Sequence, residues 1–414
     1  MKYDISFIGL GKLGLPLATN FAKCGKKVLA IDLNQELLSK LEKKITPWVE
    51  QDLESNIQEA SENIVYTDSY KEVVNSDFSI ILVNTPSKSK DGSFSNEYVI
   101  ESLTSICNEL VSSGKQNHNF ILSSTVMPGS IYGEFIPLIE KITGWTLGNE
   151  FNFAYVPDFV AIGSVIKNFH YPDFVLVGAN SRDYGDKVFM LYARQLRSAP
   201  PTSHVSLKEG ELAKVALNAY ITTKISFANY LGLLAEKIDP EINVDNITQA
   251  IGQDKRIGNL YFKAGGPYGG TCFPRDTWAF LQVSNKVGLF AEQMAANEKI
   301  NNETLDSIAN KARGSLKVGL VGLSFKPGTS VTTEGVASKL INLNKLGQAE
   351  IYVHDLFEAS MENISEENEK VFLVKDLDLL YQNVDTVIFC NGDKSYDTST
   401  IPKDVKIIDP WRII

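Results

Sequence analysis

Cysteine is scarce in this chain. Its four copies, Cys24, Cys107, Cys272 and Cys390, stand far apart and lack metal-ligand spacing, so neither a zinc site nor a disulfide framework is indicated. Histidine is equally rare: His118, His170, His204 and His354 fall outside every motif described below, so a reacting base is sought among carboxylates and water. No apolar run approaches the roughly 20 residues that cross a bilayer. Met1-Lys-Tyr-Asp leads straight into a strand pattern, so no signal peptide is expected and the cytosol is the expected compartment. Positive charge is in deficit as well. With 40 Lys+Arg against 50 Asp+Glu the net charge is −10, which leaves no basic footprint for nucleic acid; a nucleotide partner is expected to be a small ligand held locally. The rest of the composition, 43% apolar and 22% charged over 414 residues, is that of an ordinary globular protein of two or three domains.

The chain alternates strand and helix. Tyr3 to Ile8 reads as a strand, Leu15 to Cys24 as a helix stopped at Gly25, and Lys27 to Ile31 as a strand ending at Asp32. Phe78 to Val83, a helix around Tyr98 to Val111, and Phe120 to Leu122 continue the rhythm of a parallel, doubly wound nucleotide-binding domain. From about Val205 to Ile238 the spacing predicts one long helix, opened by the capping box of Ser206 and Glu209 and closed before Pro240. At about 1.5 Å per residue it spans about 50 Å, more than a small domain needs, so it is expected to link two domains and to supply a dimer surface. Beyond a helical stretch reaching about Ala312, strands at Leu316 to Val321, Glu350 to Val353 and Asn383 to Cys390 echo the opening pattern, with Gly322 placed as Gly9 is and Asp355 as Asp32 is. The expected fold class is α/β: Rossmann-like doubly wound domains at 1–203 and 313–414, joined through a central helical region at 204–312. The second turn has Ser324 where the first has Gly11 and no third glycine, so it is expected to hold part of a substrate rather than a second dinucleotide.

Gly9, Gly11 and Gly14 fit a dinucleotide fingerprint: a tight turn, close backbone approach to pyrophosphate, and close packing of a helix whose N-terminus favours the anion. Asp32, about 20 residues on, suits a ribose hydroxyl better than a 2′-phosphate and favours NAD over NADP. The plainer alternative is a set of glycines that only turn a strand into a helix. The segment GGPYGGTCFPRD, Gly265 to Asp276, sets Cys272 in a glycine-dense loop where a substrate can lie against the backbone and a thiol can attack; the plainer alternative is a small buried hydrophobe. Asp276 is read either as the cap of the following helix or as a group that activates water. Glu211, Lys214 and Asn218 project from one helical face; Lys214 and Asn218 can donate to an oxyanion, or the stripe is a solvated face with a Glu211–Lys214 ion pair. Thr125, just past a strand end, is either at a ligand crevice or a turn-stabilising residue.

Taken together, these segments resemble the UDP-glucose/GDP-mannose dehydrogenase family over nearly the whole chain. Its nucleophile motif, Cys-x-Pro-Lys-Asp after a glycine-rich loop, appears as Cys272-Phe-Pro-Arg275-Asp276, and its Lys-x-x-x-Asn helix as Lys214 and Asn218. DKRIG is similar to the segment whose arginine, here Arg256, reaches a neighbouring subunit's sugar site, and Phe325-Lys326-Pro327 is similar to the family's Phe-Lys-Pro. The resemblance implies a four-electron oxidation of a sugar 6-hydroxyl by two NAD, with Cys272 carrying a thiohemiacetal and then a thioester. Lys214 and Asn218 would stabilise negative oxygen, Thr125 and Asp276 would position water, and Asp158 would serve proton transfer. It further implies Leu13, Thr85, Pro86, Thr125 and Arg275 beside the cofactor, and Phe159, Val160, Tyr268 and Gly269 beside the sugar nucleotide, with no metal and a homodimer or higher homo-oligomer.

Three departures from the family pattern stand out. Pro-Glu-Phe-Leu-x-Glu-Gly is here Pro157-Asp158-Phe159-Val160-Ala161-Ile162-Gly163, which shortens one acid and removes the other. Thr-Asp-Asp-x-Arg after Phe-Lys-Pro is replaced by Thr329 to Thr333, without the arginine, and Arg275 stands for a lysine, keeping charge but not geometry. The Cys-Phe-Pro and Pro-Asp-Phe-Val contexts point to UDP-glucose as substrate, with a UDP-N-acetylhexosamine or another UDP-hexose as the near alternative. A β-hydroxyacid dehydrogenase-like single oxidation and a non-catalytic nucleotide-sugar binder are the more distant ones.

Overall fold

The computed structural model describes residues 2–48, 50–87, 93–160, 163–364 and 370–414. The chain forms two compact units, residues 1–215 and 216–414. In the first, an eight-stranded sheet runs in the order β3-β2-β1-β4-β5-β6-β7-β8. Its strands are β1 Tyr3–Ile8, β2 Val28–Ile31, β3 Ile64–Thr67, β4 Ser76–Ile81, β5 His118–Leu122, β6 Phe151–Tyr155, β7 Val175–Ala179 and β8 Thr202–Ser206. All neighbours pair in parallel except β6 with β7. Such a sheet needs apolar cover on both faces, and successive strand residues supply it alternately. Phe7, Ile80 and Ile121 pack with Leu15, Ala18 and Phe21 of the Gly14–Lys23 helix, whereas Ile8, Ile81 and Leu122 pack with Val99, Leu103 and Ile106 of the Glu97–Ser113 helix.

The second unit repeats the plan with a five-stranded, all-parallel sheet in the order β11-β10-β9-β12-β13. These strands are β9 Lys317–Val321, β10 Glu350–His354, β11 Val371–Leu373, β12 Thr386–Phe389 and β13 Lys406–Ile408. Leu320 and Ile388 face one apolar cluster, and Val321 and Phe389 the other. The strand expected from Asn383 begins only at Thr386, because Leu377–Asn383 is a helix N-capped by Asp376, whose side chain accepts from Leu379 N.

The long helix covers Leu207–Ile238. Its capping box forms as read: Ser206 N donates to Glu209 Oε2 at 2.7 Å and Glu209 N to Ser206 Oγ at 3.3 Å. The start differs from the expectation. Val205 and Ser206 pair with Gly178 and Ala179 as the last residues of edge strand β8, so helical geometry begins only after the cap. No helix among the described residues is long and apolar enough to cross a membrane.

Candidate active site

In the first unit the cofactor candidates gather at the C-terminal edge of the sheet, where the chain leaving β1 turns toward β2 and the chain leaving β4 toward β5, the switch point at which such sheets bind ligands. Gly9 follows β1 with φ of +92°, and a side chain there would meet Leu82 O at 2.7 Å. A Cβ on Gly14 would stand 1.9 Å from Gly9 O, so only glycine lets the helix start this close to the strand. Gly11 differs: no described atom lies within 4 Å of its Cβ position, which leaves its backbone open to a ligand. Leu13 is the N-cap of the Gly14–Lys23 helix and makes no side-chain cap hydrogen bond. Asp32 stands at the end of β2, its Oδ2 accepting from Leu10 N at 2.7 Å and its Oδ1 from Asn34 N at 2.9 Å. Each oxygen keeps a lone pair for a ribose hydroxyl. Thr85 and Pro86 follow β4 and Thr125 follows β5; Thr85 Oγ1 donates to Thr125 O at 2.6 Å and Pro86 O accepts from Ser95 N at 2.8 Å, tying the loops of this edge in place. An open glycine turn, an uncapped helix N-terminus and a carboxylate on the next strand fit the pyrophosphate and ribose of NAD.

Asp158 follows β6 at the same edge. Its Oδ2 is buried without a hydrogen-bond partner among the described residues, and burial pushes the carboxyl up to about 7 against the opposing pull of the Lys214 ammonium. Lys214 Nζ donates to Asp158 O at 2.5 Å and lies 4.6 Å from the centre of the Phe159 ring. Phe159, Val160 and Asp158 also line a cavity of about 60 Å³ with Phe174 and Tyr192. The alternative reading of a Glu211–Lys214 ion pair on a solvated face is overturned. Glu211 is fully buried, and its Oε2 and Oε1 accept from Gly129 N at 3.0 Å and Ile131 N at 2.9 Å. The loop carrying Thr125 is therefore fastened to the helix one turn before Lys214. Ala161 and Ile162 lie outside the described residues.

In the second unit Cys272 is exposed, at the N-cap position of the Phe273–Lys286 helix, so the buried-hydrophobe reading fails. Its Sγ is 3.6 Å from Thr271 Oγ1. Because Cys272 holds the cap position, Asp276 does not cap this helix. Asp276 sits one turn inside and fully buried; its Oδ2 accepts from Asn218 Nδ2 at 2.6 Å and its Oδ1 from Arg275 Nε at 3.1 Å. One helical turn along, Thr222 and Thr277 hydroxyls meet at 3.0 Å, so the two helices are joined by polar contacts behind the thiol. Cys107 and Cys390 are buried with thiols pushed up by desolvation, Cys107 to about 12.

The glycines before Cys272 are required by packing within the protein. A Cβ on Gly269 would stand 2.1 Å from Glu334 O, and one on Gly270, whose φ is +82°, would stand 2.7 Å from the Phe325 ring. They admit the protein's own packing. Gly270 N also donates to Thr333 O at 3.0 Å, so the residue that replaces the family arginine anchors this loop through its backbone. Lys326 Nζ lies 5.6 Å from the Phe325 ring centre. The buried Tyr268 is held by Asn301, whose Oδ1 accepts from its N at 2.7 Å and whose Nδ2 donates to its O at 3.2 Å, while its hydroxyl bonds to Glu298. Asn229 does the same at the loop's start, accepting from Gly265 N at 2.8 Å and donating to Gly266 O at 3.1 Å. Sequence reasoning missed both asparagines. Asn229 had a signal, since it extends the Asn218 and Thr222 stripe by two further turns; Asn301 had none. Arg256 is apart from this cluster, its side chain 88% exposed and forked onto Asp254.

The four histidines take no part in these arrangements; His118, for example, is buried against Ser79, and burial pushes it down to about 3. Among the described residues no cluster of His, Cys, Asp or Glu could hold a metal ion.

Comparison with known proteins bears on the same segments. Residues 3–196 match the NAD binding domain, and residues 208–303 the central domain, of the UDP-glucose/GDP-mannose dehydrogenase family. The chain is 27% identical over 431 residues to the GDP-mannose 6-dehydrogenase of Pseudomonas aeruginosa, covering 98% of this chain and 95% of that one. It is 30% identical over 370 residues to the UDP-glucose 6-dehydrogenase of Rickettsia prowazekii, covering 87% and 82%. A solved UDP-glucose dehydrogenase from the hyperthermophilic archaeon Pyrobaculum islandicum superposes with a TM-score of 0.86 at 29% identity, covering 96% and 92%. With the glycine turn and Asp32 shaped for NAD and a thiol displayed at a helix start, the chain belongs to the UDP-glucose/GDP-mannose dehydrogenase family of NAD-dependent nucleotide-sugar 6-dehydrogenases.

Proposed function

We propose that the chain oxidises the 6-hydroxyl of UDP-glucose to the carboxylate of UDP-glucuronate, consuming two NAD and one water. NAD supplies the hydride acceptor. The alcohol first loses a hydride and a proton to give the aldehyde. The Cys272 thiol adds across the aldehyde carbonyl, the resulting thiohemiacetal loses a second hydride to become a thioester, and water cleaves that bond to release the acid and regenerate the thiol. The observation that carries this reading is the exposed Cys272 at a helix start, backed by the buried Asp276 and Asn218. Lys214 and Asn218 stabilise the negative oxygen, Thr125 and Asp276 order the hydrolytic water, and Asp158, held near neutrality, exchanges the proton.

The choice of UDP-glucose rests on the Pro157-Asp158-Phe159-Val160 segment and on Phe273 after the nucleophile. A UDP-N-acetylhexosamine differs by a few contacts. Incubating the protein with NAD and, in turn, UDP-glucose, UDP-galactose, UDP-N-acetylhexosamines and GDP-mannose tests it. UDP-glucose should give the highest kcat/KM and two NADH per sugar; one NADH per sugar, or faster turnover of another sugar, contradicts the reading. The active species is a homodimer in this reading, supported by Tyr220, Phe227, Tyr230 and Leu234, which stand at least 40% exposed along the long helix, and by the exposed Arg256. Light scattering at assay concentration should give twice the chain mass; a monomeric active species contradicts it.

A further inference from the structure

The loop that presents Cys272 is also covered by the last residues of the chain. A Cβ on Gly265 would stand 2.5 Å from Trp411 Cε3, and one on Gly266 would stand 2.9 Å from Trp411 Cζ2. Neither glycine has a positive φ, so the backbone itself does not demand glycine at either position. The ring does. A Cβ on Gly392, just beyond the end of β12, would also stand 3.4 Å from Trp411 Cε3. The tail that carries the ring is itself fastened. Trp411 N donates to Asp409 Oδ1 at 3.1 Å, and Ile413 N and Ile414 N donate to Asp409 Oδ2 at 2.6 and 3.0 Å. The Arg412 guanidinium forks onto the Asp245 carboxylate at 2.9 and 2.8 Å and also donates to Ala264 O, the residue before the glycines. Lys263 Nζ in turn donates to Trp411 O at 3.1 Å.

We propose that the C-terminal tail is a strap and that Trp411 is a positioning residue for the Cys272 loop, pressing Gly265 and Gly266 against the Asn229 grip so that the thiol keeps its reactive placement. The inference rests on Cys272 being the nucleophile. The indole N–H is buried without a hydrogen-bond partner among the described residues, so the ring acts through its bulk, and phenylalanine should serve in its place.

The test uses the full chain with Trp411→Ala, Trp411→Phe, Gly265→Ala and the Trp411→Ala/Gly265→Ala double variant. Two quantities are read: steady-state kcat and KM, and the rate at which iodoacetamide alkylates Cys272 in the resting protein, followed by peptide mass. Trp411→Ala should lower kcat about tenfold or more, since a displacement of about 1 Å is worth up to about a hundredfold, with KM for NAD moving less than about twofold and alkylation changing at least about threefold. Trp411→Phe should restore both. Gly265→Ala should match Trp411→Ala alone yet add little in the double variant, because the ring it strikes is gone. Alkylation and kcat within about twofold of the parent in Trp411→Ala, or effects that multiply fully in the double variant, overturn the strap. Should Trp411→Ala not accumulate folded, Gly265→Ala and Trp411→Leu carry the same comparison. Alkylation needs no turnover, so the strap is decided even if the sugar chemistry proves to be different.

Discussion

Cys272 and Asp276 are four residues apart and live in opposite environments, one exposed and one with no accessible surface. That contrast assigns their tasks. In the proposed reaction the thiol meets substrate, whereas the buried carboxylate is occupied by hydrogen bonds from Asn218 and Arg275. Cys272→Ala should therefore abolish acid formation while NAD binding, measured by quenching of protein fluorescence, stays at the parent value. Lys214→Ala removes the ammonium above Phe159 and should lower kcat by about 10² to 10³, read in steady-state kinetics. Asp158 yields a pH signature. Its carboxyl is raised by burial to about 7, so it is neutral in mild acid and charged in mild base. If the carboxylate accepts the proton, kcat should rise between about pH 6 and about pH 8, and Asp158→Asn should lose about 10² or more and flatten that limb. The motif residues were legible at this scale because their spacing is local. What Asp276 touches was not, since Asn218 lies 58 positions away, and the choice between cap and buried partner depends on a packing partner that local spacing does not reveal.

Elements, rather than single side chains, explain why the loops stay where they are. Glu211 holds Gly129 N and Ile131 N to the long helix, and burial raises its carboxyl from 4.5 to about 7. A carboxyl raised on folding retains a proton that the unfolded chain releases, so its contribution is present below pH 4.5 and is lost as pH rises through about 7. Glu211→Gln should flatten the fall in Tm of the first unit between about pH 5 and about pH 8, read by thermal melts across that range. At the dinucleotide turn, Gly14→Ala would drive a methyl against Gly9 O and should abolish NAD binding by isothermal titration, whereas Gly11→Ala meets no atom of the described residues and should weaken only the bound state. Strands β1, β2, β4, β5, β9, β10 and β12 were readable as apolar runs because each sheet is covered on both faces, whereas β3, β6, β7, β11 and β13 were not picked out. Edge strand β8 was not: its pattern of exposure carries no apolar run, and the capping box beside it reads as helix.

Over the whole molecule the same turn is built twice. Gly9 N donates to Ile31 O and Asp32 accepts from Leu10 N and Asn34 N; Gly322 N donates to His354 O and Asp355 accepts from Leu323 N and Phe357 N. The second copy is closed by Asn391, whose Nδ2 bonds to Ser324 O and Oγ. The repeat was visible in the sequence as Gly322 and Asp355, and Ser324 in place of a second glycine marked where the two turns differ. The clasp of Asn229, Asn301 and Trp411 on the Cys272 loop was hidden, because its members come from segments up to 146 positions from the glycines they hold. The central claim is that this loop carries the sugar on sulfur between the two oxidations. Acid-quenching the protein during turnover of UDP-glucose and NAD, then weighing its peptides, measures that directly. The account predicts a glucuronyl mass on the peptide containing Cys272; an unmodified Cys272 peptide while acid accumulates would contradict it.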